Sequence, residues 1–150
     1  TTSGPHQAET IRAALRVTEG GKPLFRTVQA TYNVLETSAG AALAEAHAAG
    51  LTVIVKEGMA NGRLAAPDAP EPLRRLAAET GAGQDAVALA AVLHQPWAGI
   101  VLSGAATVAQ LASNLAAARL RLDARQLTAL AGLAEPPEVY WRHRSSLPWH

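Results

Sequence analysis

Apolar residues recur along much of this chain with the 3.6-residue period of amphipathic helices. Residues 6–17 place Ile11 and other apolar side chains on one face and arginines elsewhere, which predicts a first helix. Gly50 is placed for a left-handed C-terminal cap, and Thr107 and Asp123 are placed as N-caps, so we predict further helices beside them. In all, five further helices are predicted, over residues 38–49, 73–79, 84–95, 107–119 and 123–133.

Three short segments between the helices, two of them apolar runs, predict strands. They are residues 24–30, residues 51–55 (LTVIV) and residues 99–102 (GIVL). A continuous apolar run such as LTVIV is typical of a parallel strand that is buried on both faces. We therefore expect the strand at 51–55 to be covered on both sides.

The last segment, residues 135–150, shows no periodicity, so neither a helix nor a strand is predicted there. It carries three of the chain's six aromatic residues. We expect Tyr140, Trp141 and Trp149 to pack in the core or at a subunit contact, and Arg144 to be exposed to solvent.

The predicted order is one helix followed by three strand–loop–helix units, which favours an α/β fold with a parallel sheet and right-handed crossovers. We expect a single domain over residues 1–150, with the helix in 1–17, the units in 24–134 and the aromatic tail in 135–150. A closed eight-stranded barrel typically needs about 250 residues. Three strands therefore predict a small open sheet or a part of a larger barrel.

Composition excludes several classes of function. Lys and Arg number 13 against 12 Asp and Glu, and the arginines are scattered, so we expect no binding to nucleic acid or to an acidic membrane. The chain has no cysteine, which excludes disulfides, thiolate metal sites and a thiol nucleophile. The five histidines show no metal-ligand spacing. Without a targeting or membrane-spanning segment, the sequence favours a cytoplasmic location.

Three segments carry a resemblance to a known family. They are VQATYNVL at 28–35, GLTVIV at 50–55 with MANGRL at 59–64, and LSGAAT at 102–107. In order and spacing they are similar to the sixth, seventh and eighth strands of the aldo-keto reductase barrel. The chain thus resembles the C-terminal half of that barrel, from the end of strand five through strand eight, and the resemblance implies a partial TIM barrel.

The resemblance also implies a nicotinamide cofactor, NADP with NAD as the alternative. It places Gln29 at the nicotinamide carboxamide. Thr1 and Thr2, at the position of the family's fifth strand, would also contact the carboxamide. Lys56 stands where the family has the aromatic residue that stacks on the nicotinamide, so the ring would be held differently here. The implied cofactor-binding residues are Thr1, Thr2, Gln29, Lys56, Ser103, Gly104, Thr107, Gln110 and Asn114.

The adenosine end of this implied site is the glycine turn and helix start after residue 102. A helix N-terminus offers free N–H groups to a phosphate. Ala106 and Gln110 stand where NADP-preferring members of the family commonly carry lysine or arginine, and Ser113 stands where an acidic residue is frequent. A 2′-phosphate would lack a bidentate cationic partner here. The choice between NADP and NAD stays open.

The implied activity is the NAD(P)H-dependent reduction of a small aldehyde or ketone. In the family the proton-donating tyrosine and its partners lie on the first four strands, so no catalytic residue is assigned and the chain alone is expected to be inactive. Three strands leave unpaired edges. We expect the chain to need the N-terminal half of the barrel or a second copy of itself, and not to be a stable monomer.

Two alternatives stay open at this point. A non-catalytic half-barrel could bind a nucleotide or another protein, and Lys56 in place of an aromatic residue favours it. An open sheet of the flavodoxin-like kind would show a reversal of strand order, whereas a barrel would keep sequential strands adjacent.

Alternatives also stay open for single residues. Gln29 could pair with backbone at a strand end. Lys56 and Glu57 would point to opposite faces of a strand, and the one that faces inward could mark a site or form a structural salt bridge to another strand.

Overall fold

The computed structural model describes residues 1–148, which form an α/β fold with a parallel sheet. A single turn of 3-10 helix at Ala60–Gly62 lies in the loop after the fourth strand. In chain order the helices and strands are α1 (Gln7–Leu15), β1 (Thr18–Glu19), β2 (Lys22–Pro23), β3 (Thr27–Thr31), α2 (Gly40–Ala48), β4 (Thr52–Lys56), α3 (Glu71–Thr80), α4 (Gln84–Leu93), β5 (Ile100–Val101), α5 (Val108–Ala116), α6 (Ala124–Ala131) and α7 (Pro137–Ser146).

The three predicted strands are confirmed as β3, β4 and β5, and they pair in that order as a parallel sheet. In the β3–β4 pair the register begins with Thr27 opposite Thr52. In the β4–β5 pair it ends with Val55 opposite Val101. On the free side of β3, the backbone N–H of Thr2 donates to the carbonyl oxygen of Gln29 at 2.9 Å. Sequential strands are neighbours in the described sheet, which favours the barrel-type interpretation over the flavodoxin-like alternative.

The two faces of the sheet differ in burial. Ala30, Val53 and Val55 are fully buried on the face that packs against α1 and α2. On the opposite face Ile54 is only half-buried and Ile100 is 47% exposed. The prediction that the strand at 51–55 is buried on both faces is therefore wrong, because the helices of the described chain cover only one side of it.

A second apolar cluster lies between α3, α4, α6 and α7. Leu73, Leu76, Val87 and Leu130 are buried there at 1% exposure or less, together with Tyr140. Apart from Tyr140, these residues come from helices whose apolar positions the sequence periodicity identifies. This cluster forms the packing surface for the C-terminal helix.

The tail is a helix, contrary to the prediction that it has no regular structure. Pro137 occupies the first turn of α7, where a missing N–H costs nothing. Tyr140 and Trp141 are adjacent in sequence and both buried, with their rings edge to face at 5.5 Å between centroids. Adjacent apolar residues do not produce a 3.6-residue period, which explains why the pattern does not reveal α7. Trp149 lies outside the described residues.

The sequence analysis also missed the hairpin formed by β1 and β2. Gly20 and Gly21 make its turn with φ of 56° and 77°, the left-handed conformation that two-residue hairpins require. The strand predicted at 24–30 begins later, at Thr27, because Leu24 and Phe25 are exposed linkers between the hairpin and the sheet. Within residues 1–148, no helix combines the length and the hydrophobicity that a membrane crossing requires.

Candidate functional site

A groove of about 540 Å³ opens at the carboxyl ends of β4 and β5 and beside the start of α5. Parallel strands present their carboxyl ends at one edge of the sheet, which is where open α/β sheets and barrels bind ligands. The groove brings together five of the nine residues implied by the resemblance. They are Lys56, Ser103, Gly104, Gln110 and Asn114.

Lys56 is the cation of this groove. Its Nζ donates to Ser3 Oγ at 2.6 Å and to Thr1 Oγ1 at 3.4 Å. Both acceptors are neutral hydroxyls, and the ion pairs among the described residues do not include Lys56. The ammonium therefore keeps its charge available to a ligand.

The wall beside Lys56 is a backbone loop in an unusual conformation. Glu57, Ala60 and Asn61 have φ of 56°, 48° and 54°, the left-handed region that residues other than glycine rarely adopt. Such conformations cost energy and persist where surrounding contacts hold them, often at functional sites. Glu57 and Asn61 line the groove, so the loop shapes it directly.

Contacts from two other elements hold the loop in place. Arg144 Nη2 of α7 donates to Glu57 Oε1 at 2.6 Å, and Asn33 Nδ2 donates to the carbonyl oxygen of Glu57 at 2.9 Å. Glu57 thus forms a structural salt bridge, but its partner lies on a helix and not on another strand. The prediction that Arg144 is exposed to solvent is wrong, because this ion pair leaves its side chain only 22% exposed.

Asn33 also connects the loop to the buried ring of Tyr140. Asn33 Nδ2 donates to Tyr140 Oη at 3.0 Å, and Asn33 Oδ1 accepts from the backbone N–H groups of Leu35 and Glu36. Burial raises the pKa of Tyr140 to about 12, against the opposing effect of the Asn33 hydrogen bond. The phenol is therefore neutral and fixed at neutral pH.

The start of α5 is closed by a capping box. Thr107 Oγ1 accepts from the backbone N–H of Gln110 at 3.2 Å, and Gln110 Oε1 accepts from the N–H groups of Ala106 at 2.8 Å and Thr107 at 3.1 Å. The expectation that these N–H groups are free for a phosphate is therefore wrong for Ala106, Thr107 and Gln110. The N–H groups of Val108 and Ala109 have no acceptor among the described residues.

Polar side chains join α5 to its neighbours at the same end of the groove. Asn114 Nδ2 donates to Ser103 Oγ at 2.8 Å, and Ser113 Oγ donates to Asp85 Oδ1 at 2.7 Å. Asp85 lines the groove from the first turn of α4. The sequence analysis did not identify Asp85, because an acidic residue in the first turn of a helix is a common stabilising feature and gives no sign of a site.

Four residues implied by the resemblance do not line this groove. Thr107 serves as the cap of α5, and Thr1 contacts Lys56. Thr2 pairs through its backbone with Gln29, whose side chain lies on the open face of the sheet with Ile54. Thr1, Thr2 and Gln29 therefore lie together at the edge of β3, and their contacts with a cofactor stay a prediction.

Comparison with known proteins shows which folds this chain is similar to. No protein-family model and no curated protein matches the chain. Among solved structures, a protein described as a 2,5-diketo-D-gluconic acid reductase B is 26% identical with a TM-score of 0.68, over 86% of this chain and 43% of that chain. An aldo-keto reductase from Bacillus halodurans is 20% identical with a TM-score of 0.65, over 86% and 48%. The aldose reductase of Giardia lamblia is 17% identical with a TM-score of 0.66, over 83% and 41%.

The fold is of the aldo-keto reductase type. This confirms the resemblance that the three sequence segments indicated. The chain spans less than half of the length of each of these solved structures.

Proposed function

We propose that this chain is the cofactor-binding part of an aldo-keto reductase-like oxidoreductase, and that its sheet is the C-terminal half of a (β/α) barrel. The observation that carries the proposal is the groove at the carboxyl edge of the sheet, which collects five of the nine residues that the resemblance implies. The reaction proposed is the NAD(P)H-dependent reduction of a small aldehyde or ketone. The similarity to aldo-keto reductases supports an oxidoreductase role.

The residues present suit a nicotinamide dinucleotide. A volume of about 540 Å³ lies in the range of small-molecule sites, which is roughly 300–1,000 Å³. The N–H groups of Val108 and Ala109, at the positive end of α5, would meet one phosphate of the diphosphate, and the ammonium of Lys56 would attract the dinucleotide from the end of β4. Gln29 would orient the carboxamide from the open face of the sheet. The cofactor, when bound, supplies the hydride.

The remaining step, protonation of the developing alkoxide, needs an acid that we place on a partner segment. Tyr140 does not serve, because its ring is 1% exposed, its hydroxyl is bonded to Asn33, and its pKa is about 12. A general acid needs contact with the substrate and a pKa nearer to the working pH. The contribution of this chain is therefore to bind and orient the cofactor.

The surfaces left exposed support a partner that completes the barrel. Ile100 and Leu102 of the open sheet face are 47% and 42% exposed. The apolar stripe of α5, Val108, Leu111 and Leu115, is 85%, 45% and 64% exposed. A helix with such a stripe normally buries it. We propose that the N-terminal half of the barrel, or a second copy of this chain, covers these surfaces.

Light scattering at micromolar concentration tests the need for a partner. We expect the 150-residue chain to form dimers or larger assemblies, and we expect Leu115→Glu to shift it toward smaller species. Ala116→Glu, which adds the same charge at an exposed position of α5 outside the apolar stripe, is the control. A single sharp monomer mass for the unmodified, folded chain contradicts this part of the proposal.

A non-catalytic nucleotide-binding module is the second candidate function. Lys56 favours it, because an ammonium cannot provide the flat face on which a nicotinamide ring stacks. Such a module would bind the dinucleotide, or its adenosine part alone, without positioning the ring for hydride transfer. Comparable affinity for NADH and for adenosine diphosphate would indicate this module.

Calorimetric titration of the folded chain with NADH and, separately, with NADPH tests the dinucleotide site. We expect micromolar binding of at least one of them, and about tenfold weaker binding in Lys56→Met, which removes the cation beside the phosphates. Lys22→Met changes the other lysine of the chain, in the hairpin strand β2 outside the groove lining, and should bind as the unmodified chain does. A folded chain that binds neither nucleotide contradicts the proposal.

A further inference from the structure

We infer that this groove selects a dinucleotide with a free 2′-hydroxyl on its adenosine ribose, NAD(H) over NADP(H), and that Asp85 is the specificity-determining residue. The inference rests on the proposed dinucleotide function of the same groove. It concerns only the difference between the two cofactors, which is one phosphate group. Their shared diphosphate and nicotinamide contribute equally to both affinities.

Three charged residues line the groove, and Lys56 and Asp85 do not form an ion pair with each other. Glu57 is paired with Arg144, and Lys56 lies beside Thr1 and Ser3 at the end of β4. Asp85 is the third charged residue of the lining. Without the Glu57–Arg144 ion pair, the lining carries one cation, Lys56 at the end of β4, and one carboxylate, Asp85 beside α5.

The carboxylate of Asp85 is fixed in place and is not neutralised by a side chain. Its Oδ1 accepts from Ser113 Oγ at 2.7 Å, and a Cβ added at Gly83 would lie only 2.2 Å from this oxygen. The ion pairs of the described residues do not include Asp85, and its Oδ2 has no donor among them. A ribose hydroxyl can donate to such an oxygen, as acidic residues do in NAD-binding sites of other folds.

A 2′-phosphate would find no compensating cation at this end of the groove. Residues 103–114, which form the glycine turn and most of α5, contain no lysine or arginine. Gln110, the long polar side chain there, accepts from the N–H groups of Ala106 and Thr107 through its Oε1, and its neutral amide supplies no positive charge to a phosphate. A phosphate with nearly two negative charges would instead lie near Asp85, and like charges at an interface reduce affinity.

The test compares dissociation constants for NADH and NADPH by calorimetry. We expect NADH to bind at least about tenfold more tightly than NADPH to the unmodified chain, with a ratio that decreases as salt screens the repulsion. Asp85→Asn keeps the side-chain shape and an acceptor for Ser113, and it should decrease the ratio about tenfold, mainly by improving NADPH binding. Asp68→Asn makes the same charge change on an exposed loop outside the groove and should leave the ratio unchanged.

The possible results distinguish a failure of the inference from a failure of the proposed function. Equal or tighter binding of NADPH to the unmodified chain overturns the inference and leaves the proposed function standing. An equal effect of Asp85→Asn on both nucleotides shows a structural role and overturns the assignment to Asp85. If a folded chain binds neither nucleotide, the proposed function fails and the inference fails with it.

Discussion

Replacing Tyr140 with phenylalanine tests how α7 is docked on the rest of the molecule. The change removes one hydroxyl, which accepts the hydrogen bond from Asn33 Nδ2 at 3.0 Å, and it keeps a ring that is 1% exposed. Asn33 Nδ2 retains its bond to the carbonyl oxygen of Glu57, so only one of its two hydrogen bonds is lost. A buried hydrogen bond of this kind contributes about 1 kcal/mol, which corresponds to about fivefold in the folding equilibrium constant.

The same hydroxyl makes stability depend on alkaline pH. The pKa of Tyr140 is about 12 in the folded chain against the ordinary value of 10.0. Because the folded pKa is raised, the phenol's contribution is fully present below pH 10.0 and is lost as pH increases toward about 12. Over that window the folding equilibrium constant decreases up to about tenfold for each pH unit. Tyr140→Phe has no phenol and escapes this loss.

The two effects have opposite signs, so the order of stability should invert. At about pH 8 the variant is expected to be about fivefold less favoured in the folded state than the unmodified chain, and at about pH 11 about twofold more favoured. Urea unfolding followed by tryptophan fluorescence measures both, at one protein concentration, since an assembling chain gains stability with concentration. Tyr32→Phe is the control at neutral pH, because the Tyr32 hydroxyl has no hydrogen-bond partner among the described residues.

Parallel pH curves for the variant and the unmodified chain would refute this reasoning. Such curves would mean that the Tyr140 phenol ionises as it does in water. That result requires α7 to be detached from the cluster formed by α3, α4 and α6, and the Arg144 contact with the groove loop would be detached with it. The experiment therefore also tests whether α7 holds the wall of the groove.

The remaining predictions concern local features of the fold. Thr107→Ala removes the side chain that caps α5 and should lower the free energy of unfolding by about 0.5–2 kcal/mol in urea titration, whereas Thr107→Ser retains the hydroxyl and most of the stability. An unchanged midpoint for the alanine variant would show that the cap is not formed in solution. Leu73→Ala removes a fully buried side chain of α3 and should cost about 2–5 kcal/mol, while Leu24→Ala, at a position 47% exposed, should cost much less. Equal costs at the two positions would argue against the described core.

Local signals predicted a large part of this fold correctly. Thr107 and Asp123 are the N-caps that their positions indicated, and Gly50 has φ of 86°, as expected for a left-handed cap. These features are readable because each depends on a few neighbouring residues. For the same reason the strands at LTVIV and GIVL were found within one or two residues of their bounds.

Features that depend on distant residues were missed or misjudged. The burial of the LTVIV strand depends on which sheet face the helices cover, and that is decided by packing across the whole chain. Helix α7 packs because Tyr140 and Trp141 join a buried apolar cluster of residues that are distant in the chain, although their own segment has no helical pattern. The role expected for Arg144 was wrong because its partner, Glu57, is 87 residues away.

The candidate site also combines features that follow from local sequence with features that depend on distant residues. The sequence by itself determined the fold class, the order of strands and helices, and the strand ends at Lys56 and Ser103, because periodicity and caps act within one element. The bonds of Gln110 to N–H groups at the start of its own helix are local and follow the Thr-x-x-Gln pattern of a capping box. The position of Asp85 in the groove and its bond to Ser113 follow from the packing of α4 against α5, because hydrogen bonds and charges act through space and not along the chain.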